Sequence, residues 1–159
     1  MSTNLNADEQ AYLFNNGVKK LQVGDIKGSI EVFQFLCTVD IDNYMYSKSL
    51  AGALHHEKNY LMAAYFYDLA FRINDKRNNY DALYYSALCH MKTEHLEDAI
   101  TNLEKFLELL NNDEIATIDY DALLKKSKLL LHGLKNKKVA LDAAATNNNH
   151  HTEDQTSVV

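Results

Sequence analysis

Three segments of this chain repeat the same order of side-chain sizes about every 34 residues, and few folds accommodate such a repeat. Small residues stand at Ser29, Ala63 and Ala99, 34 and 36 positions apart. A large residue follows each one four positions later, and another apolar or small residue three positions after that, giving Phe33, Tyr67 and Leu103, then Leu36, Ala70 and Phe106. A small side chain lets two helices approach closely while large neighbours fill the adjoining space. This order at this period is typical of the tetratricopeptide repeat.

On both sides of each polar turn, the apolar residues recur with the three- and four-residue spacing of an α-helix. The chain contains no Pro and only five Gly, so the residues that most disturb helices are absent or scarce. We therefore predict an all-α fold, a short solenoid of three tetratricopeptide-type helix hairpins. The predicted helices cover residues 10–22 with 26–39, 44–56 with 60–73, and 79–92 with 96–110.

A further amphipathic segment follows the third helix pair. Apolar residues recur along one side of it from Tyr120 to Leu134, which predicts a helix over residues 117–141. Asp113 or Thr117 would supply its N-cap. We interpret this segment as a C-terminal capping helix, because the last repeat of a solenoid would otherwise expose its apolar face to water.

Polar segments flank the predicted repeat domain, which covers residues 10–141. Residues 1–9 are predicted to be flexible, and they lack the basic and apolar stretches of a secretion signal, which favours a cytoplasmic protein. Apolar periodicity stops after Asp142, so residues 142–159 are predicted to form a disordered tail.

Composition and motifs disfavour several classes of function. A formal net charge of -6 is poorly suited to nucleic acid, which is bound mainly through clustered Lys and Arg. The five glycines do not have the spacing of nucleotide-binding loops, and the sequence offers no nucleophile with a well-placed base, so we expect no enzyme. The apolar runs are far too short to cross a bilayer.

Histidine and cysteine are present without the arrangement of a metal centre. Zinc sites need three or four convergent ligands, and only His90 with Glu94 approaches the required spacing. Cys37 and Cys89 both fall within apolar helical patterns, which predicts free buried thiols and no disulfide. We therefore expect neither a metal nor another cofactor.

The first helix of each pair carries the candidate peptide-binding residues. In stacked helix pairs the first helices line the concave surface, where an extended polypeptide can bind. The aligned repeats place on that surface Phe14, Val18 and Leu21, then Met45, Lys48, Ser49, Gly52 and His55, then Asp81, Tyr84, Leu88 and Met91. This set lacks the Lys, Asn and Arg cluster that would hold a terminal carboxylate, which favours apolar pockets along an extended segment. The alternative for each residue is a place in the core.

The first repeat resembles a known family. The stretch from Val32 to Asp40, which contains Phe-Gln-Phe-Leu-Cys, follows Leu-Gln-Val-Gly-Asp at residues 21–25. Together these stretches resemble the first repeat of the class II chaperones of bacterial type III secretion systems. The likeness extends over roughly residues 10–135, through all three repeats and the final helix.

The resemblance implies a cytoplasmic chaperone that keeps one or two hydrophobic translocator proteins apart, in solution and competent for secretion. Members of the family hold a short extended motif with spaced apolar anchors in the concave groove. The positions that match this groove are Val18, Leu21, Lys48, His55, Asp81, Tyr84 and Leu88. Masking an apolar segment of a translocator would lower the surface that makes it aggregate in water.

Two departures from the family pattern leave alternatives open. Only about nine residues precede the first repeat, whereas family members carry a longer N-terminal helix that contributes to dimers, so a homodimer stays an open question. Ile41 and Asp75 occupy repeat ends where Pro is usual. The competing interpretation is a generic tetratricopeptide scaffold or regulatory protein-protein interaction module with no link to secretion.

Overall fold

The computed structural model describes residues 5–112 and 120–153, and it describes the side chains of all of these except Arg77 and residues 147–153. This part of the chain forms seven α-helices, one 3₁₀ turn and no strand. The helices are α1 (Ala7–Gln22), α2 (Ile26–Val39), α3 (Tyr44–His56), α4 (Tyr60–Ile73), α5 (Asp81–Lys92), α6 (Leu96–Asn112) and α7 (Asp121–Glu153). Each helix packs on the next along the chain, which confirms the predicted solenoid of three helix pairs and a further helix.

Each first helix of a pair is followed by a residue with left-handed backbone. Gly24, Lys58 and Glu94 have φ angles of 84°, 66° and 61°, and they stand 34 and 36 positions apart, like the small residues of the repeat. A left-handed residue ends a helix and lets the chain reverse sharply. Asp25 and Asn59 then cap the second helices of the first two pairs through their side chains.

Small residues on both helices of a pair allow the two backbones to approach closely. Gly17, on α1, shows how little space is available, because a Cβ atom there would lie 2.7 Å from the ring of Phe33. The equivalent residues of the next two pairs are alanines. The buried small residues are Gly17, Ala51 and Ala87 on the first helices and Ser29, Ala63 and Ala99 on the second.

Side-chain hydrogen bonds join the second and third repeats. The side-chain amide of Asn102 donates to Oδ1 of Asp68 at 3.0 Å, and that of Asn78 donates to the hydroxyl of Tyr44 at 3.0 Å. Each of these pairs is separated by 34 residues, two fewer than the 36-residue spacing between these two repeats. A repeat that is stacked on its neighbour with nearly the same orientation brings such positions together.

Two helices of the three pairs begin at residues other than those predicted, and α7 begins at Asp121 and not at residue 117. The first begins at residue 7 and not at residue 10, because Asn6 and Glu9 form a capping box. The fifth begins at Asp81 and not at residue 79, because a 3₁₀ turn covers residues 77–79. Within that turn, the buried amide of Asn79 donates to two backbone carbonyls at the end of α4, each at 2.9 Å.

Helix α7 closes the C-terminal end of the solenoid. It packs on α6 and α5, and Leu134 is buried against the core, as expected of a capping helix. Lys135 and Lys138 bind Glu104 and Glu97 of α6 at 2.6 Å and 2.5 Å. The two residues proposed as its N-cap, at positions 113 and 117, lie outside the described part of the chain.

The predicted boundary of the tail is wrong. Helix α7 continues to Glu153, beyond Asp142, and its side chains from Leu141 to Thr146 are exposed. Residues 143–145 are all alanine, the residue with the highest helix propensity. A helix that is already nucleated by packing needs no apolar stripe to continue. No described helix combines the length and the apolar character needed to cross a membrane.

Candidate peptide-binding surface

Two clefts open beside the first helices of the repeats. The first cleft, of about 340 Å³, lies between α1 and α3 and is lined by Ala7, Gln10, Ala11, Phe14, Asn43, Met45 and Tyr46. The second cleft, of about 400 Å³, is lined by residues of α3, α4 and α5, namely Gly52, His55, His56, Tyr67 and Tyr85. Four of the predicted binding residues therefore line a cleft on this surface.

The first cleft is apolar and aromatic. The ring of Phe14 lies 5.7 Å from that of Phe33 and 5.8 Å from that of Tyr46, so it is half-buried but keeps one side open. The hydroxyl of Tyr46 donates to Oε1 of Gln10 at 3.1 Å, which joins the first pair to the second. Met45 is 46% exposed, and its flexible thioether side chain suits contact with an apolar ligand group.

Lys48 and Asp81, both predicted to face a ligand, bind each other. The ammonium of Lys48 lies 2.7 Å from Oδ1 of Asp81, an ion pair that joins α3 to α5. The two side chains are only 26% and 22% exposed. Their charges cancel at the surface, so this part of it attracts neither an acidic nor a basic ligand strongly.

The second cleft has aromatic walls. The rings of Tyr67 and Tyr85 stack with 5.7 Å between centroids and an angle of 25° between planes. Burial strongly raises the pKa of Tyr67, so its hydroxyl stays protonated and can donate a hydrogen bond. Gly52 lies beside this hydroxyl, and a Cβ atom there would make ordinary van der Waals contact with Oη at 3.8 Å. An apolar side chain of a ligand could pack on the tyrosine faces.

His55 forms one end of the second cleft and also reaches the core. Its ring meets those of Tyr60 and Tyr67 edge-on, at 5.6 Å and 6.3 Å. Its Nδ1 lies 3.7 Å from Sγ of Cys89. Burial is the main cause that lowers the pKa of His55, with smaller contributions from His56 and Lys92. The imidazole is therefore biased towards its neutral form.

Tyr84 is a core residue, and its predicted place on the binding surface is wrong. It is 6% exposed, and its ring lies 6.1 Å from that of Phe106 on α6. Burial raises the pKa of its hydroxyl, with a further contribution from Tyr85. Successive residues of a helix point about 100° apart, so the neighbouring Tyr85 takes the exposed direction that was predicted for Tyr84.

The remaining predicted residues contribute less open surface. The apolar ones are half-buried and pack against the core, namely Val18, Leu21, Leu88 and Met91. Ser49 is also half-buried. Met91 lines a separate cleft of about 470 Å³ with Leu96, Leu134 and Leu141, next to the capping helix. The structure therefore does not bring Met91 together with the residues of the second cleft.

Sequence reasoning missed three residues of the second cleft, namely His56, Tyr67 and Tyr85. Tyr67 was interpreted only as the large residue that fills space beside Ala63, and it does so while its ring also forms a wall of the cleft. The adjacent pair Tyr84 and Tyr85 offered a signal, because two neighbouring aromatic residues leave the rotation of the helix ambiguous by one position.

A partly buried polar cluster joins α4, α5 and α6. Nε2 of His90 lies 3.5 Å from Oδ2 of Asp68, and Asn102 donates to Oγ of Ser86 at 3.0 Å. Ser86 has no exposed surface, so this Ser, His and Asp set cannot meet a substrate. Among the described residues, no three His, Cys, Asp or Glu side chains are grouped as metal ligands. Cys37 and Cys89 are free thiols, and Cys89 is buried.

No family model and no curated protein sequence matches the chain. Solved structures, in contrast, share its fold. The Yersinia enterocolitica chaperone SycD in complex with a peptide of the translocator YopD aligns with a TM-score of 0.74 and 21% identity, covering 84% of this chain and 97% of SycD. PcrH in complex with the chaperone binding region of PopD aligns with a TM-score of 0.76 and 20% identity, covering 87% of this chain and 99% of PcrH.

A structure outside type III secretion is also similar. The first tetratricopeptide domain of Spaghetti, bound to the HSP90 peptide SRMEEVD, aligns with a TM-score of 0.63 and 21% identity, covering 82% of this chain and 98% of that domain. Identities of 20 to 21% establish similarity of fold. The tetratricopeptide architecture expected from the resemblance to class II chaperones is thus confirmed: this chain has the fold of the type III secretion translocator chaperone SycD and of PcrH.

Proposed function

We propose that this chain is a cytoplasmic, non-enzymatic chaperone that binds an extended segment of a type III secretion translocator along its two clefts. The observation that carries the proposal is the similarity, over 84% and 87% of the chain, to SycD with a YopD peptide and to PcrH with the chaperone binding region of PopD. Binding of an aggregation-prone segment removes apolar surface from water and so keeps the client in solution.

The chemistry of the clefts supports a client with apolar anchors. Phe14 and Met45 offer apolar surface in the first cleft, and the half-buried Tyr85 offers aromatic surface beside the buried Tyr67 in the second. Buried aromatic and apolar anchors supply most of the binding energy at typical interfaces. The groove in this proposal comprises Phe14, Met45, Gly52, His55, Tyr67 and Tyr85, with Val18, Leu21 and Leu88 as partly exposed neighbours.

A scaffold that binds acidic peptide termini is the second candidate, since the Spaghetti domain binds the peptide SRMEEVD, which contains three acidic residues. Such a peptide needs free cations on the concave surface. Here the ammonium of Lys48 is engaged by Asp81 at 2.7 Å. This ion pair favours the translocator chaperone over the scaffold. We expect one or two translocators as partners, and we do not expect nucleic acid to be a partner. A homodimer stays a prediction.

Co-expression tests the proposal. The chain is produced with each of the two proteins with large hydrophobic segments that are encoded nearest to its gene, and the soluble fraction is examined for co-purification. We expect at least one of them to be soluble only in the presence of the chain. If both behave the same with and without it, the chaperone function is excluded and the scaffold becomes the better explanation.

Two methionines provide a matched control for the site. Met45 and Met62 each stand in the first turn of a helix and are 46% and 43% exposed, but Met62 lies on α4 and lines neither cleft. We expect Met45→Asp to reduce co-purification of the client and Met62→Asp to leave it unchanged. Equal losses in both variants would place the client on another surface.

A further inference from the structure

His55 and Cys89 form a contact between α3 and α5 that has chemical consequences for the second cleft. Sγ of Cys89 and Nδ1 of His55 are 3.7 Å apart, within range for a weak hydrogen bond involving sulfur. Cys89 has no exposed surface, so its thiol meets no solvent water in the folded protein. Nδ1 of His55 is its hydrogen-bond partner in the structure.

A protonated thiol is compatible with a hydrogen bond from Cys89 to the imidazole of His55. Burial raises the pKa of Cys89 to about 12, with a smaller contribution from Asp68, so the group remains S–H at physiological pH. A protonated thiol can donate to Nδ1, and Nδ1 is then the unprotonated acceptor. In neutral imidazole one ring nitrogen accepts and the other carries the proton. In this arrangement the proton of His55 resides on Nε2.

An Nε2–H group of His55 can donate a hydrogen bond to a polypeptide bound in the second cleft. Within the described part of the chain, Nε2 of His55 has no hydrogen-bond partner, and the ring lines the second cleft. An extended polypeptide laid on aromatic walls buries backbone carbonyls, and each of them needs a donor. Tyrosine faces bind side chains but do not satisfy carbonyls, so a donor at this edge would complete the site.

We propose that His55, held by Cys89 in the tautomer protonated at Nε2, donates a hydrogen bond to a backbone carbonyl of the segment bound in the second cleft. Cys89 is then a positioning residue, which acts only through His55. The donor role rests on the proposed chaperone function, whereas the tautomer is a property of the free protein.

Nitrogen-15 NMR of the imidazole rings tests the tautomer in the full-length chain without a client. The His55 signals are assigned by their absence from His55→Gln. At neutral pH we expect Nδ1 to show the shift of an unprotonated nitrogen and Nε2 that of a protonated one. Cys89→Ser, which keeps a donor, should preserve this pattern, and Cys89→Ala should move it towards a mixture of tautomers. A proton on Nδ1 in the unmodified protein would overturn the proposal without use of either variant.

Binding of the client tests the donor role. The probe is a synthetic peptide of the N-terminal segment of the translocator captured in co-expression, titrated by calorimetry. We expect His55→Leu to weaken binding about three- to tenfold, the usual effect of one neutral hydrogen bond. His55→Gln, whose amide can donate, should recover part of the loss. On binding, the Nε2 proton of the unmodified protein should move downfield and exchange more slowly with water.

The outcomes separate the two proposals. If the peptide binds the unmodified protein and His55→Leu with equal affinity, the donor role is overturned and the chaperone function stands. If no translocator segment binds the unmodified protein, the chaperone function fails and the donor role fails with it, while the NMR result on the tautomer remains valid. Circular dichroism of each variant checks that the helices are intact.

Discussion

The two clefts are built on the same succession of helix pairs, but different contacts hold their walls. In the first cleft, a hydrogen bond of 3.1 Å from Tyr46 to Gln10 and a ring contact of 5.8 Å between Phe14 and Tyr46 join neighbouring repeats. In the second, a thiol-imidazole contact of 3.7 Å and a pair of stacked tyrosines join them. An ion pair of 2.7 Å also joins α3 to α5. The first cleft offers exposed and adaptable apolar groups, whereas the second holds its groups in set positions before a ligand arrives.

Equivalent residues account for this difference. Phe14, Lys48 and Tyr84 occupy the same position in the three repeats, 34 and 36 residues apart. The first is half-buried beside a cleft, the second belongs to an ion pair between repeats, and the third is in the core. The repeat therefore fixes the location of these residues on the first helix of each pair. The identity of each side chain then determines whether it lines a cleft, links two repeats or packs in the core.

The largest expected effect comes from a change that would remove both clefts. Ala63, on α4, has no exposed surface and lies at the close contact between the helices of the second pair. Ala63→Trp should lower the free energy of unfolding by about 3 kcal/mol or more, because the indole cannot fit without displacing a helix. Urea denaturation followed by circular dichroism measures this, with Ala140→Trp on the exposed side of α7 as the control. A stable Ala63→Trp protein that binds its client would refute the repeat alignment.

The adjacent residues Tyr84 and Tyr85 should respond differently to substitution, because Tyr84 lies in the core and Tyr85 lines the second cleft. Tyr84→Ala should cost about 3 kcal/mol or more of stability, because a buried aromatic ring is lost from the core. Tyr85→Ala should cost roughly half as much, since Tyr85 is only partly buried, and should weaken client binding in the folded protein. Denaturation and peptide titration of both variants give the comparison. Comparable stability losses would mean that both tyrosines are core residues.

The ion pair between Lys48 on α3 and Asp81 on α5 is expected to contribute about 1 kcal/mol, at the upper end for partly exposed pairs. A double-mutant cycle with Lys48→Met and Asp81→Asn isolates their coupling from other effects of each change. The coupling should fall as salt is raised, because the pair is partly exposed. A coupling near zero at low salt would show that this contact does not stabilise the junction of α3 and α5.

The pH dependence of stability should differ between the protein and His55→Gln. The pKa of His55 is lowered below the ordinary value of 6.5 by folding, so below pH 6.5 the unfolded chain binds a proton that the folded chain resists. Stability from this group is complete above pH 6.5 and is lost as the pH falls through the lowered pKa. Between pH 7.5 and pH 5.5 the unmodified protein should lose more stability than His55→Gln. Parallel losses would show that His55 is not the group responsible.

The smallest effect on stability is expected in the first cleft. Met45→Ala should change the free energy of unfolding by less than about 0.5 kcal/mol, as is usual for exposed positions. The same variant should weaken client binding measurably, because the thioether lines the cleft. Calorimetric titration and denaturation together test this. A large loss of stability would mean that the first cleft is as rigid as the second.

Much of the architecture was predictable because it depends on short-range patterns. Left-handed residues at Gly24, Lys58 and Glu94 and small residues such as Ala63 recur at the repeat length, so the helix boundaries followed from the alignment of repeats. The extent of α7 did not follow, because the end of the apolar periodicity does not mark the end of this helix. A run of alanines sustains a helix that packing has already started.

The surface was predictable only in part. Phe14, Met45, Gly52 and His55 were expected on the surface and line its clefts. Tyr67 was missed because it stands on a second helix, although its ring reaches past its own pair.

By itself, the sequence determined the number of helices, their pairing and the positions at which they approach closely, since these depend on side-chain size at a fixed period. Tertiary structure alone decided that Tyr85 faces the cleft while Tyr84 enters the core, and that Lys48 and Asp81 engage each other. Each step along a helix rotates a side chain by about 100°, and only the packing of neighbouring repeats fixes that rotation.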